Sequence, residues 1–160
     1  MIARRSVLEG LISMHVVNMV AAHVEAATMA DDGLVTVAGN FSVRESLDRL
    51  EAELKAKNIT IFARIDHAAG AASVAMPLRP TELLIFGNPR AGTPLMQANQ
   101  TIGIDLPLKI LAWQDAGGKV WLTYNDPHWL AGRHHLSSGT EAGVTAVATL
   151  LANLVKAAAG

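Results

Sequence analysis

The chain has 160 residues with a formal net charge of −1, and 51% of its residues are hydrophobic against 17% charged. This length suits one domain with a substantial hydrophobic core, and the composition excludes a disordered chain. Nucleic acid is disfavoured as a partner, because the net charge is near zero and no Lys/Arg cluster occurs. The chain contains no cysteine, which excludes disulfides, zinc ribbons, thiol redox chemistry and covalently attached haem.

Residues 1–26 have the layout of a secretory signal. Arg4 and Arg5 give a basic start, a mostly apolar stretch follows from Val7 to Ala22, and small residues precede a cleavage point after residue 26. We therefore expect residues 1–26 to be a cleaved signal peptide and the mature protein to be periplasmic or secreted.

Two polar residues, Glu9 and His15, interrupt the apolar stretch. A charge there is costly for membrane insertion, so the alternative is an amphipathic N-terminal helix that packs on the domain. The chain lacks an uninterrupted run of about 20 apolar residues, so we expect no permanent membrane span.

Residues 27–160 are expected to form a single domain that begins with a strand and a helix. Residues 34–40 alternate as in a strand. Ser42 and Glu45 then fit a capping box, and apolar residues follow at helical spacing. The exposed side of this helix carries three favourable i,i+4 charge pairs, which are Glu45–Arg49, Glu51–Lys55 and Glu53–Lys57.

The next segment alternates cleanly from Ile59 to His67. A regular strand would place Ile59, Ile61, Ile65 and His67 on one face, so His67 is expected to point inward at the edge of the sheet. An Ala/Gly-rich stretch then predicts a short helix or tight crossing.

Residues 83–86 form a continuous apolar run, which predicts a central strand buried on both faces. Thr93-Pro94 predicts a helix start, with Thr93 as N-cap and a helix towards Ile102.

The C-terminal part predicts a hairpin and two helices. The hairpin joins residues 109–114 to 119–125, with Trp113 and Trp121 placed to face each other. A cap-then-proline signal at Asp126 opens a helix through Arg133, and the last helix covers residues 141–159. The predicted fold is α+β: a two-layer sandwich with helices on one face of a mainly antiparallel sheet, in the order β-α-β-β-β-β-α.

Five separate motifs carry a family resemblance. They are Ile65-Asp66-His67-Ala68-Ala69-Gly70, residues 78–89 (LRPTELLIFGNP), Gly92-Thr93-Pro94-Leu95-Met96, Ile104-Asp105-Leu106-Pro107-Leu108-Lys109 and Arg133-His134. Together they resemble the family called domain of unknown function 302, over about Val35 to His135. The resemblance implies a compact two-layer domain with helices on one face of an antiparallel sheet, and it implies no reaction. Many relatives look exported, which agrees with the expected signal peptide.

Two groups of polar residues are the first candidates for a site. His67, next to Asp66, could bind a ligand or transfer protons, or it could simply fix the strand end. Asp105 and Lys109 flank a proline-containing turn. They could form a structural salt bridge with each other or meet a polar ligand together.

A third group lies at the predicted helix start. Gly87 and Gly92-Thr93 have the spacing of a phosphate loop, but the lysine that grips terminal phosphates is missing. A helix start near Asn88, Arg90 and Thr93 could still attract an anion.

His134, which follows Arg133 and precedes His135, is a further candidate. Adjacent histidines point to different sides of a helix and cannot chelate one ion together, so we expect no metal and no cofactor.

These observations favour a non-enzymatic binding or accessory module for a small polar or anionic ligand near His67, Asp105 and Lys109. The alternatives are an enzyme with His67 as general base, oriented by Asp66 or Asp105, or a structural domain that pairs with a partner protein. Oligomerisation is possible, and no nucleophile motif supports a hydrolase.

Overall fold

The structure is a computed structural model that describes residues 28–29 and 32–160. The predicted signal peptide, and the alternative of a packed N-terminal helix, lie outside the described residues and stay predictions. The described strands are β1 Thr28–Met29, β2 Leu34–Gly39, β3 Thr60–Asp66, β4 Thr81–Gly87, β5 Leu108–Gln114 and β6 Val120–Asn125. The described helices are α1 Val43–Ala56, α2 His67–Ser73, α3 Pro89–Ala98, a 3₁₀-helix Gln100–Ile104, α4 Pro127–Arg133 and α5 Glu141–Ala159.

The strands form one antiparallel sheet in the order β1-β2-β6-β5-β4-β3. Helices α1 and α5 pack on one face of this sheet and on each other. Leu47, Leu50 and Leu54 of α1 are fully buried in this layer, and each contributes about 2 kcal/mol by burial. The predicted two-layer α+β sandwich is therefore confirmed.

Helix α5 has the predicted bounds and supplies the other half of the core. Leu151, Leu154 and Val155 are almost completely buried against α1 and the sheet. By length and composition alone this helix could also cross a membrane. A buried stripe of this kind is expected for the core helix of a folded domain.

Helix α1 begins as the sequence predicts. The Ser42 hydroxyl accepts a hydrogen bond from the Glu45 backbone N–H at 3.2 Å, which satisfies one of the free donors of the first turn. The predicted ion pairs all form on the exposed side, at 3.3, 3.1 and 3.7 Å. Exposed pairs of this type stabilise a helix by only about 0.3–0.5 kcal/mol each.

Strand β3 departs from the predicted alternation, because it contains a β-bulge at Phe62. Ile61 pairs with Phe86 on the helix-covered face, but the register then shifts so that Ala63 pairs with Ile85 on the open face. Residues beyond a bulge change faces, since side chains alternate with a period of two. Ile65 is consequently 39% exposed.

The predicted inward orientation of His67 is therefore wrong. His67 is exposed and is the first residue of α2.

Strand β4 lies between β5 and the edge strand β3 and has only one fully buried face. Leu84 and Phe86 are completely buried, whereas Leu83 and Ile85 are half-buried. The prediction of burial on both faces is wrong, because α1 and α5 cover the same side of the sheet.

The hairpin of β5 and β6 carries the predicted tryptophan pair on the open face. Trp113 and Trp121 stack with ring centroids 6.4 Å apart. Asp115 in the turn accepts a hydrogen bond from the Trp121 indole N–H at 2.8 Å. This bond, with backbone N–H groups of the turn, lowers the pKa of Asp115.

Arg64 joins α1 to the sheet through an ionic cluster, because the bulge turns it towards the helices. Its guanidinium contacts Asp48 and Glu51 of α1 and Glu82 of β4. Burial opposes the charge, but the hydrogen bonds to Asp48, Glu82 and Glu51 outweigh it and raise the pKa of Arg64. The Glu82 side chain is only 9% exposed, so it depends on Arg64 for compensation.

Replacing Arg64 with Met is expected to destabilise the fold by about 3–5 kcal/mol, because Glu82 would stay buried without its cation. Urea denaturation followed by circular dichroism measures this. Lys57→Met removes one exposed pair and serves as the control, with an expected loss below about 0.5 kcal/mol. Equal losses in the two variants would show that the cluster does not tie α1 to the sheet.

Candidate functional site

A cavity of about 230 Å³ opens between α3, the start of β5 and the bulge in β3. We call it the α3 cavity. Its lining includes no titratable side chain, and its walls are almost entirely apolar. A cavity of about 150 Å³ accepts benzene, so by proportion this one has room for roughly nine non-hydrogen atoms. Residues that line it are Phe62, Gly87, Asn88, Pro89, Ala91, Gly92, Thr93, Leu95, Met96, Leu106, Pro107, Leu108 and Val147.

Helix α3 forms one wall and begins five residues earlier than predicted. Its N-cap is Asn88, whose side-chain oxygen accepts a hydrogen bond from the Arg90 backbone N–H at 2.9 Å. Pro89 fills the first helical position, where its missing N–H costs nothing. The predicted start at Thr93-Pro94 is wrong, because Pro94 lies inside the helix.

The N-terminus of α3 does not offer free donors to an anion. The Ala91 and Gly92 N–H groups both bond the Asn88 carbonyl oxygen at 3.0 Å, and the Arg90 N–H bonds the Asn88 side chain. Gly92 and Thr93 are helical, so the segment is not a phosphate-type loop. The predicted attraction of an anion to this helix start is not supported by the geometry.

The opposite wall depends on the bulge in β3. Phe62 is the extra residue of that strand, and its ring reaches the end of β4 beside Gly87. A Cβ atom at position 87 would lie 3.4 Å from the Phe62 ring and 3.5 Å from Pro107. Phe62, the end of β4 and the turn before β5 therefore lie close together at this wall of the cavity.

Asn88 and Thr93, both predicted as candidates, supply the polar groups of this cavity. Arg90, the third candidate of that group, is exposed and lines a different concavity between α3 and the start of α5. The three residues thus do not converge on one ligand position.

Asp105 and His134 do meet, although neither lines the cavity. The His134 Nε2 atom lies 2.5 Å from a carboxylate oxygen of Asp105, and its Nδ1 atom lies 2.9 Å from the Thr101 hydroxyl. The Thr101 hydroxyl also donates to the Asn99 side-chain oxygen at 2.9 Å. The Asn99 amide nitrogen in turn donates to the His134 carbonyl oxygen at 2.6 Å. His134 is 6% exposed, so this network ties the 3₁₀-helix to the end of α4.

Lys109 does not form the predicted salt bridge with the Asp105 carboxylate. Its ammonium donates instead to the main-chain carbonyl oxygens of Asp105 at 2.8 Å and Pro107 at 3.0 Å. Burial lowers the pKa of Lys109, and the nearby charge of Asp105 opposes that shift. The lysine therefore holds the turn before β5 together.

His67 and Asp66 lie at the far end of the sheet. Asp66 pairs with Glu82 near one end of β4, whereas Asp105 lies beyond the other end. Seven residues of β4 separate the two ends, a distance of about 20 Å. Asp66 caps α2 by accepting from the Ala69 N–H at 2.8 Å, so both carboxylates expected to orient His67 are engaged elsewhere.

The sequence does not reveal the apolar walls of the cavity. Regular alternation places Phe62 on the polar side of β3, and Leu106 reads as part of a turn. A large aromatic residue among Thr60, Arg64 and Asp66 is the one signal that could have indicated an unusual position. In the part of the chain that the structure describes, no group of three or more His, Cys, Asp or Glu residues is placed to hold a metal ion.

Replacing His134 with Ala is expected to destabilise the fold by about 2–3 kcal/mol, because Asp105 loses its buried partner and a small void forms. Thermal and urea denaturation measure this. His128 is exposed on α4, and His128→Ala should stay within about 0.5 kcal/mol of the parent. If His134→Ala is as stable as the parent, the network is not structural.

The described fold is similar to that of a solved structure. The crystal structure of an uncharacterized conserved protein DUF302 from Bacillus stearothermophilus superposes with a TM-score of 0.70, over 79% of this chain and 98% of that one. The two sequences are 19% identical, so this likeness concerns the fold alone.

Curated relatives are closer in sequence. The proteins named Fluoride-specific ion channel FluC 1 from Brucella suis biovar 1 and from Brucella abortus biovar 1 are each 49% identical over 134 residues, 84% of this chain. The chain spans about half the length of these relatives, 53% and 50% respectively. The family model described as Domain of unknown function DUF302 matches residues 35–158, a range that contains every residue lining the α3 cavity. The chain therefore belongs to the DUF302 family.

Proposed function

We propose that this chain is a non-enzymatic accessory domain that binds a small, mostly apolar molecule in the α3 cavity. The single observation that carries the proposal is the cavity itself, about 230 Å³ with an apolar lining. Concave apolar sites with a few polar groups are the usual form of small-molecule sites. The proposed ligand is smaller than most, with roughly nine non-hydrogen atoms when scaled to the benzene-binding cavity above.

The lining favours binding over catalysis. General acid–base or nucleophilic chemistry needs a titratable group within hydrogen-bond reach of the substrate, and the residues that line the cavity include none. The closest histidine–carboxylate pair, His134 with Asp105, is bonded to Thr101 and lies within a structural network. His67, the base of the alternative hypothesis, lies at the opposite end of β4.

The relatives support the accessory part of the proposal. In the Brucella proteins, a region similar to this chain makes up about half of a protein whose name describes a fluoride-specific ion channel. In such a protein the similar region is joined to a second part of about equal length. This arrangement favours an accessory role for the region. Within the described residues, the N-terminus of α3 has no free N–H groups for a small anion.

Filling the cavity from Gly92 is expected to abolish binding. Gly92 is in α3, and a Cβ atom there would lie 3.7 Å from Leu106 and 3.9 Å from Met96, in ordinary contact. Gly92→Met extends a flexible side chain into the space. With 1-heptanol as probe, the affinity measured by calorimetry should be at least tenfold lower in Gly92→Met than in the parent, and the thermal shift at a fixed probe concentration should be smaller.

Gly92→Ala is the matched control, because it adds one methyl group and leaves most of the cavity open. Alanine in a helix is more favourable than glycine by about 1 kcal/mol, so this variant should be at least as stable as the parent and should still bind 1-heptanol. Equal affinity in the parent and both variants would place the probe outside the cavity and contradict the proposal.

A further inference from the structure

The polar edge of the α3 cavity has a defined hydrogen-bonding character, set by Asn88. The side-chain oxygen of Asn88 accepts the Arg90 N–H as the cap of α3. Because an N–H group donates this bond, the atom of the Asn88 carboxamide that faces the helix is its oxygen and not its nitrogen. The amide nitrogen, with two N–H donors, is the end of Asn88 that remains for a ligand.

The cavity edge has no positive charge to balance an anion. Its lining contains no Lys, Arg or His. The first N–H groups of α3 bond the Asn88 side-chain oxygen and the Asn88 carbonyl oxygen. Arg90 lines the neighbouring concavity. A carboxylate or phosphate placed here would exchange its hydration for the Asn88 amide and the Thr93 hydroxyl alone, with no positive charge in the lining to balance it, which carries a large cost.

From these contacts we infer that the ligand of the α3 cavity is a short aliphatic or aromatic molecule with a neutral hydrogen-bond acceptor, such as a carbonyl oxygen, held by the Asn88 amide nitrogen. This inference rests on the proposed function and narrows it. The apolar body lies against Leu95, Leu106 and Val147, and the acceptor lies at the edge beside Asn88. Thr93 also lines the cavity, and its hydroxyl can donate or accept, so it does not change the class of ligand.

Three probes of equal size separate the possibilities. Heptan-2-one carries a neutral acceptor, hexanoate carries an anionic one and ethylbenzene carries none. Each has about eight non-hydrogen atoms, which fits the capacity estimated for the cavity. The full chain should bind heptan-2-one more tightly than hexanoate by at least tenfold, measured by calorimetry at pH 7.

Asn88→Asp is the decisive variant. An aspartate oxygen can still accept the Arg90 N–H, and aspartate is as good an N-cap as asparagine, so the helix start and the cavity stay intact. The amide donors are lost, and a negative charge now faces the acceptor. The affinity for heptan-2-one should fall about fivefold or more, the value of one hydrogen bond, while ethylbenzene should bind the variant as it binds the parent.

The outcomes distinguish binding in the α3 cavity from selection of the ligand by Asn88. If ethylbenzene binds both proteins and heptan-2-one also binds both equally, the cavity is a ligand site but Asn88 does not select the ligand, and the inference is wrong. Tighter binding of hexanoate than of heptan-2-one would overturn it as well. If none of the three probes binds the parent chain, the proposed function fails and the inference fails with it.

Discussion

The extra residue that β3 carries at Phe62 determines which side chains of that strand meet the helices and which meet solvent. A strand alternates with a period of two, so one inserted residue exchanges the faces of everything that follows it. Arg64 is thereby turned to the helix-covered side, where it compensates Glu82 and binds the carboxylates of α1. The same insertion places Phe62 at the end of β4, as a wall of the α3 cavity. One local irregularity thus supports both the packing of α1 and the shape of the site.

The second constraint is the start of α3. Asn88 uses its side-chain oxygen and its main-chain oxygen to satisfy the free N–H groups of the first turn. A helix N-terminus attracts anions only while such donors are available. Because the Asn88 oxygens occupy these N–H groups, the cavity edge offers a ligand the neutral Asn88 amide donors instead of an anion site. Nearby polar groups are engaged in the same way, since Lys109 and His134 both hold the segment between α3 and β5 in place.

Much of the architecture could be predicted from local patterns. The Ser42 cap, the hairpin around Asp115 and the bounds of α5 depend on residues close together in the chain, and all three agree with the structure. The predicted start of α3 does not agree with the structure. A polar residue followed by proline occurs twice, at Asn88-Pro89 and five residues later at Thr93-Pro94, and the sequence alone does not choose between these two N-cap signals.

The site itself was less accessible to sequence reasoning. The orientation of His67 depends on a β-bulge that the regular alternation of apolar and polar residues from Ile59 to His67 does not predict. His134 at the end of α4 contacts Thr101 of the 3₁₀-helix and Asp105 after it, and only the tertiary fold brings these residues together. The polar residues chosen from the sequence are mostly structural, whereas the cavity is built from apolar residues that any core could contain. Asn88 and Thr93 are the two candidates that line it.

The most direct test of the account is a crystal of the full chain pressurised with xenon, because xenon enters dry apolar cavities of this size without needing a specific contact. We expect a xenon atom between Phe62, Leu95, Leu106 and Val147, which are apolar walls of the α3 cavity. Xenon found only at other positions, or a cavity filled by the Phe62 or Met96 side chain, would show that this fold does not keep an open apolar site beside α3.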